Sequence, residues 1–396
     1  MKLLVVTPHL PAPPESGGAR RMFELIRQLA ARHDVVTLSL AGPDEDVALN
    51  ERELGRVVAV RVPATARMPP SAAKRRTQLR SLLSPRSFHH YFYRQAALQR
   101  RLRELLTAER FDLVQFEYSA MGGYDAPGLP RVVDVVDIEY DVLGQQAREG
   151  SIARRIFNAV EARKFAGEER AAWCAATVCL ATSEQDAERI AAITGGRVAV
   201  IPNGVDTGYF QRRPLDGTDP RDLVFVGALR YRPNAEAVLF FVEQVMPLLR
   251  RSVPGVSLTV VGADPPPEIS ALCGPDVQIA GTVPDVRPHL AAAGTVVVPL
   301  HVGGGTRLKI LEAFAAGRPV ISTRLGAAGL AVRDGEELLY AEEPAEFVAA
   351  LRRLIEQPEL RQRLAGNGHA LVRARYEWAA IVRRLDDAYQ AICSGA

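Results

Sequence analysis

No stretch of the 396-residue chain approaches the roughly 20 consecutive apolar residues of a transmembrane helix. The opening run Met1-Lys2-Leu3-Leu4-Val5-Val6-Thr7-Pro8 is too short for a leader and reads as a first strand. There are four cysteines, Cys174, Cys179, Cys273 and Cys393, and none forms a Cys-x-x-Cys pair. They read as reduced thiols of a cytoplasmic protein rather than as disulfides or metal ligands. Gly-x-Ser-x-Gly is missing, and the first loop lacks Gly-x-Gly-x-x-Gly. A serine nucleophile elbow and a dinucleotide fingerprint are thereby unsupported. Acidic residues are absent from Leu54 to Arg103, where twelve Lys and Arg stand with Phe88, Tyr91, Phe92 and Tyr93 among them. That stretch fits a patch for anionic lipid or an acidic acceptor, and equally a solvated helical face whose counter-charges lie elsewhere. No recognition motif points to nucleic acid. Net charge is +3, so overall charge selects no partner.

What is present is alternation. Strand-like runs at Leu3–Thr7, Val35–Leu40, Val57–Val62, Leu113–Glu117, Arg131–Val136, Thr177–Thr182 and Val198–Pro202 are interleaved with helical stretches. Among these, Ala19–Ala31 carries Met22, Phe23, Leu25, Ile26 and Leu29 on one side. Gln95–Thr107 and a long region of about Glu139 to Cys174 follow, and Ser183 is placed to cap the next helix. Asn203-Gly204-Val205-Asp206 turns the chain, and the alternation restarts after a Pro-, Gly- and Asp-rich stretch. It runs through Leu223–Ala228, helical Asn234–Arg251, Ser257–Gly262, Val277–Gly281, a short helix Val286–Ala292, Thr295–Leu300, helical Arg307–Ala316 and Val320–Thr323. Several strands are unbroken apolar runs, as expected of parallel sheets covered on both faces. The expected fold class is α/β, with two doubly wound Rossmann-like domains facing each other across a cleft. We expect one domain over 1–205 and a second over 206–375, with a last helix within 376–396.

The densest functional signal is Pro299-Leu300-His301-Val302-Gly303-Gly304-Gly305-Thr306-Arg307-Leu308-Lys309-Ile310-Leu311-Glu312-Ala313. Glycines admit close backbone approach, and free amides at a helix start attract anions. Arg307 and Lys309 add positive charge, and Glu312 an acceptor suited to sugar hydroxyls. Being two apart, Arg307 and Lys309 cannot share one narrow helix face. The loop Pro8–Gly18 brings Gly17 and Gly18 to the start of the first helix, where amides meet a phosphate or sugar, or merely make a tight turn. Asp137 stands at a strand end, where it can cap a helix; Glu117 ends another strand, and His9 lies in the first loop.

Phe225-Val226-Gly227-Ala228, Pro233-Asn234, Val260-Val261-Gly262, Gly281-Thr282-Val283-Pro284-Asp285-Val286, the triplet segment, Gly317-Arg318-Pro319-Val320 and Gly326-Ala327-Ala328-Gly329-Leu330 form an ordered set. With Pro202-Asn203-Gly204-Val205-Asp206 between the halves, this set resembles the retaining glycosyltransferases of sequence family 4, which have the GT-B fold. The resemblance covers nearly the whole chain. It implies an acceptor-side domain over 1–205, completed by the helix within 376–396, a nucleotide-sugar-binding domain over 206–375, and transfer of a hexosyl-type sugar from a nucleotide diphosphate-sugar, with retention and without metal or cofactor. In the family's Glu-x7-Glu motif the second Glu matches Glu312 and meets the ribose; the first falls on Gly304. The family's phosphate-gripping Arg falls on Ala228, so Arg230, or Arg307 with Lys309, carries that role, and Leu308 and Thr306 lie in the donor segment. Base contacts fall on backbone around Val283. Where relatives place a His near the sugar, this chain has Asp137. The resemblance makes Asp137 a candidate sugar- or acceptor-side polar group, and Glu117 and His9 further acceptor-side candidates. The acceptor is a sugar, a lipid-linked or a small molecule. Cell-envelope polysaccharide or glycolipid synthesis is the expected setting, in the cytoplasm with peripheral contact at the inner membrane face through 54–103. A natural-product glycosyltransferase, an epimerase, a phosphorylase and a non-catalytic sensor remain as alternatives.

Overall fold

The computed structural model describes residues 1–14, 16–63, 71–147, 151–303 and 308–394. The chain divides into two compact units, one of Met1–Pro202 with Val382–Ala396 and one of Asn203–Ile381. The first contains a seven-stranded sheet of β1 (Lys2–Thr7), β2 (Asp34–Ala41), β3 (Arg56–Arg61), β4 (Leu113–Glu117), β5 (Arg131–Val135), β6 (Val178–Ala181) and β7 (Val198–Val200). Its order is β3-β2-β1-β4-β5-β6-β7, and each neighbouring pair is parallel. In the second, β8 (Asp222–Val226), β9 (Ser257–Val261), β10 (Val277–Gly281), β11 (Thr295–Val298), β12 (Val320–Ser322) and β13 (Leu339–Tyr340) pair in parallel in the order β10-β9-β8-β11-β12-β13. Both are doubly wound Rossmann-like sheets.

Helices cover both faces, so strand residues of either parity are buried. Leu3, Leu4, Val5 and Val6 in succession have no exposed surface. The first helix, Gly17–Ala30, is capped by Ser16, whose side chain accepts from the Ala19 amide. Met22, Leu25, Ile26 and Leu29 are buried as expected, but Phe23 is only half-buried and Arg21 goes inward instead. Its guanidinium makes a two-pronged contact with Asp134 of β5, Nε to Oδ2 at 2.8 Å and Nη2 to Oδ1 at 2.7 Å, while Nη1 donates to the Pro202 carbonyl at 3.1 Å. Both side chains of this pair have no exposed surface.

Three other expectations change in the structure. The long helical region breaks into Glu139–Gln146 and Ile152–Cys174. The helix foreseen over Asn234–Arg251 is Arg232–Phe240 and Met246–Ser252 joined by a wide turn at Phe241–Val245. Pro247 lies in the first turn of the last segment, and a proline lacks the N–H that a regular helix needs there. Gly204 does not adopt the left-handed backbone of a turn glycine. It is needed for space: a Cβ there would lie 2.6 Å from the Trp378 ring and 2.7 Å from Ile381. The last helix is Trp378–Ser394, preceded by an extended Glu377. Within the first unit, Tyr389 Oη donates to Gln115 Oε1, and Asp386 pairs with Arg32 at 2.6 Å and His33 at 2.7 Å.

Because Arg21 and Asp134 are dry, removing one strands the other. Arg21→Met should lower stability by about 3–5 kcal/mol in urea unfolding, and Arg21→Met with Asp134→Leu should recover most of that loss. A single variant of wild-type stability would show that the pair is not needed.

Candidate active site

In a parallel sheet every strand delivers its carboxyl end to one edge, and ligands gather where the strand order reverses. In the second unit β8 leads outward to β9 and β10 on one side, and β11 to β12 and β13 on the other. The reversal lies between β8 and β11. Gly227 leaves β8 there, and Gly303 lies in the exit of β11. Gly303 has φ 113°, a backbone few side-chain-bearing residues adopt. The exit is held by side chains from the end of β12. Ser322 Oγ donates to the Val298 carbonyl at 3.2 Å, and Thr323 Oγ1 donates to the Leu300 carbonyl at 2.5 Å.

The helix after this loop is Leu308–Ala315. It buries Ile310, Leu311, Ala313, Phe314 and Ala315, which leaves Leu308, Lys309 and Glu312 half-buried. Lys309 and Glu312, three apart, share a face. Lys309 is fixed: Nζ donates to Asn234 Oδ1 at 2.7 Å and stands 4.3 Å from the centre of the Phe225 ring. Asn234 in turn donates from Nδ2 to the Ala228 carbonyl at 2.9 Å, which orients its oxygen toward the ammonium. A Cβ on Gly227 would come 2.7 Å from Lys309 Nζ, and one on Gly262 would come 1.9 Å from the Gly227 carbonyl oxygen. Glycine at both places keeps the β8 exit tight against its neighbours while a lysine ammonium lies over it. Asn234 is a positioning residue: the sequence places it with Pro233 in the ordered motif set but gives it no role. Its link to Lys309 spans 75 residues, so only the fold shows it.

Of the other donor-side candidates, Gly304, Gly305, Thr306 and Arg307 lie outside the described residues. Arg230 follows β8 and pairs at 3.0 Å with Asp264, both side chains being exposed. Val283 lies beyond β10, half-buried against the second unit's core.

The first unit reverses its strand order between β1 and β4. Gly17 and Gly18 open the first helix after the β1 exit, and a Cβ on Gly18 would lie 2.3 Å from Tyr118 Oη. Tyr118, just past β4, is held at φ 68° and donates its amide to the Asp134 carbonyl at 3.0 Å. Burial pushes its phenol well above the usual range. Gly18 is thus the residue that lets this strained tyrosine lie against the helix start. His9 is buried, with Nδ1 3.0 Å from the Leu10 carbonyl. Asp137 lies half-buried in the turn between β5 and the helix Glu139–Gln146. The cap of that helix is supplied by Glu169, which accepts the Glu139 and Tyr140 amides at 3.2 and 3.1 Å. Burial pushes the Glu169 carboxyl up to about 7.

Glu117 ends β4 with no exposed surface, in register with Asp134 of β5. Gln115 Nε2 donates to its Oε1 at 2.6 Å. Burial, then the negative charge of Asp134, pushes the Glu117 carboxyl up to about 8. Its geometry is that of a buried hydrogen-bonding group beneath the strand ends, out of an acceptor's reach.

The pattern of both units recurs in known proteins. Residues 16–209 match the family described as Glycosyltransferase Family 4, and residues 220–357 match Glycosyl transferases group 1. The glycogen synthase of Mycobacterium tuberculosis is 26% identical in an alignment covering 100% of this chain and 96% of that protein. The phosphatidyl-myo-inositol mannosyltransferase of the same species is 29% identical over 51% of this chain and 56% of its own length. Among solved structures, Anabaena HepE in complex with UDP-glucose superposes with a TM-score of 0.66 at 16% identity, covering 99% of this chain and 100% of that one.

The raised carboxyl of Glu117 has a thermodynamic consequence. The folded state keeps this proton to about pH 8, whereas an unfolded glutamate loses it near 4.3. Glu117 therefore contributes stability that is fully present below the unfolded value and is lost as pH rises through the folded one. The melting temperature of Glu117→Gln should fall less steeply than that of the wild type between about pH 5 and about pH 9. Equal slopes would mean that the carboxyl does not hold a proton there.

Proposed function

We propose that this chain, a glycosyltransferase of the GT-B fold, moves a hexosyl-type sugar from a nucleoside diphosphate-sugar to an acceptor hydroxyl with retention of anomeric configuration. The observation that carries the reading is the Lys309 ammonium, held by Asn234 and Phe225 above side-chain-free Gly227 at the strand-order reversal of the second sheet. A diphosphate seated there meets a fixed cation and the backbone of the β8 and β11 exits. Glu312, on the same helix face, takes the ribose hydroxyls, and Arg307 supplies a second cation to the leaving group. The fold likeness to HepE, solved with UDP-glucose, supports this class of donor.

Breaking the bond between the sugar C1 and the phosphate oxygen builds negative charge on the diphosphate. A preorganised ammonium stabilises that charge without having to reorient, which is a large catalytic term. The acceptor oxygen bonds to C1 on the face the leaving group departs from, and its proton passes to the departing phosphate oxygen. Asp137 is the first unit's candidate for orienting the acceptor hydroxyl. A relative named for glycogen and one named for phosphatidyl-myo-inositol fit a polysaccharide or glycolipid acceptor, made for the cell envelope.

A thermal-shift screen of nucleoside diphosphate-sugars should find one that raises the melting temperature. Against that donor, Lys309→Met should weaken binding about 10- to 100-fold, the equivalent of roughly 1.5–3 kcal/mol for a charged hydrogen bond. Asn234→Ala should weaken it less, and Glu312→Ala should raise Kd for the donor more than for inorganic diphosphate. NMR of the product should show the donor's anomeric configuration. Unchanged donor affinity in Lys309→Met would remove the basis of the assignment.

A further inference from the structure

Two helices of the first unit carry exposed aliphatic side chains. Leu79, Leu82 and Leu83 lie on and just after the helix Ser71–Leu82, and Leu83 is 90% exposed. Ile152, Ile156 and Val160, four apart on the helix Ile152–Cys174, form one stripe, with Ile152 74% exposed and Ile156 60%. The two helices are fastened together: Lys164 Nζ, one turn beyond Val160, donates to the Ser81 carbonyl at 2.5 Å. Exposed aliphatics scattered singly are ordinary; six on two adjoined helices are a surface with a use.

Among the described residues of these two helices, every exposed charge is positive. Arg75, Arg76 and Arg80 stand exposed on the first helix, and Arg154 and Arg155 on the second. Among the described residues, the first acid along the second helix is Glu161, which is buried and accepts from the Phe88 amide and Lys164. Residues 152–156 are exposed on every side of the helix, so this turn stands out from the unit rather than bordering a groove. A projecting apolar turn ringed by arginines suits a soft anionic surface. A second copy of the chain would set arginine against arginine, a repulsive arrangement.

We propose that this face docks on an anionic lipid bilayer, with Ile152, Ile156 and Leu83 entering the acyl boundary and the arginines meeting headgroup phosphates. The site is separate from the donor site of the second unit and does not depend on the reaction assigned above.

The full chain should co-sediment with vesicles of phosphatidylcholine and phosphatidylglycerol, weakly with phosphatidylcholine alone, and less as salt rises. Ile152→Asp with Ile156→Asp should abolish co-sedimentation while leaving the melting temperature unchanged, because both side chains are already in water. Arg75→Ala and Arg154→Ala should each weaken binding about fivefold. Absence of binding to phosphatidylglycerol vesicles, or binding indifferent to the aspartate pair, would overturn the proposal. So would a dimer in light scattering that the aspartate pair dissolves, since the face would then serve a second copy.

Discussion

A parallel sheet leaves little freedom in where function can be placed. Its strands are buried on both faces and run the same way, so open backbone and polar side chains collect at one edge. Both units obey this. In the first, Tyr118 lies just past β4 beside the order reversal and Asp137 past the neighbouring β5; in the second, Gly227 and Gly303 leave the two strands that flank the reversal and Lys309 lies on the helix that follows. The opposite, amino-terminal edge of the first sheet carries ion pairs instead, Lys2 with Asp34 and Glu109 and Arg56 with Glu109.

The two edges are built from different materials. The second relies on vacancy: glycines at 227 and 262 bring β8 and β9 exits together, and Lys309, steered by an amide and an aromatic ring, brings a positive charge over them. The first relies on a dense polar interior. Tyr389, Gln115, Glu117, Asp134 and Arg21 run beneath the edge from the last helix to the Pro202 carbonyl. With one arginine among two carboxyls, this row is electrically settled only if a carboxyl keeps its proton, and Glu117 does so.

Much of this was legible in the sequence because it is local. Continuous apolar runs marked the strands, and Ser183 announced its cap, which the structure shows accepting from the Asp186 amide. Of the glycine-rich segment, the helix carrying Lys309 and Glu312 was legible, and both side chains are half-buried on it. What escaped depended on distant neighbours. Arg21 fits no apolar periodicity because its partner is 113 residues away, and Phe23, counted on the apolar side, is only half-buried. Gly204 resembles a turn glycine until Trp378 is seen against it. Asn234 belongs to a motif in the sequence, but its task is visible only once Lys309, 75 residues away, is seen bonded to it. Glu117 looked like a strand-end carboxylate open to ligand, but the register that sets it beside Asp134 also closes it off from water.

The return of the chain to its starting unit bears on how this protein can be dissected. Tyr389 and Asp386 come from the final helix, yet their partners are Gln115, Arg32 and His33. A fragment ending at Pro202 would leave the Gln115 amide facing an empty slot and would open the sheet's flank to solvent. The complementary fragment from Asn203 onward would trail an amphipathic segment with nowhere to bury Leu385 and Tyr389. Proteolytic halves of this molecule are therefore poor stand-ins for its units, and separating them cleanly calls for grafting the terminal helix back onto the amino-terminal piece.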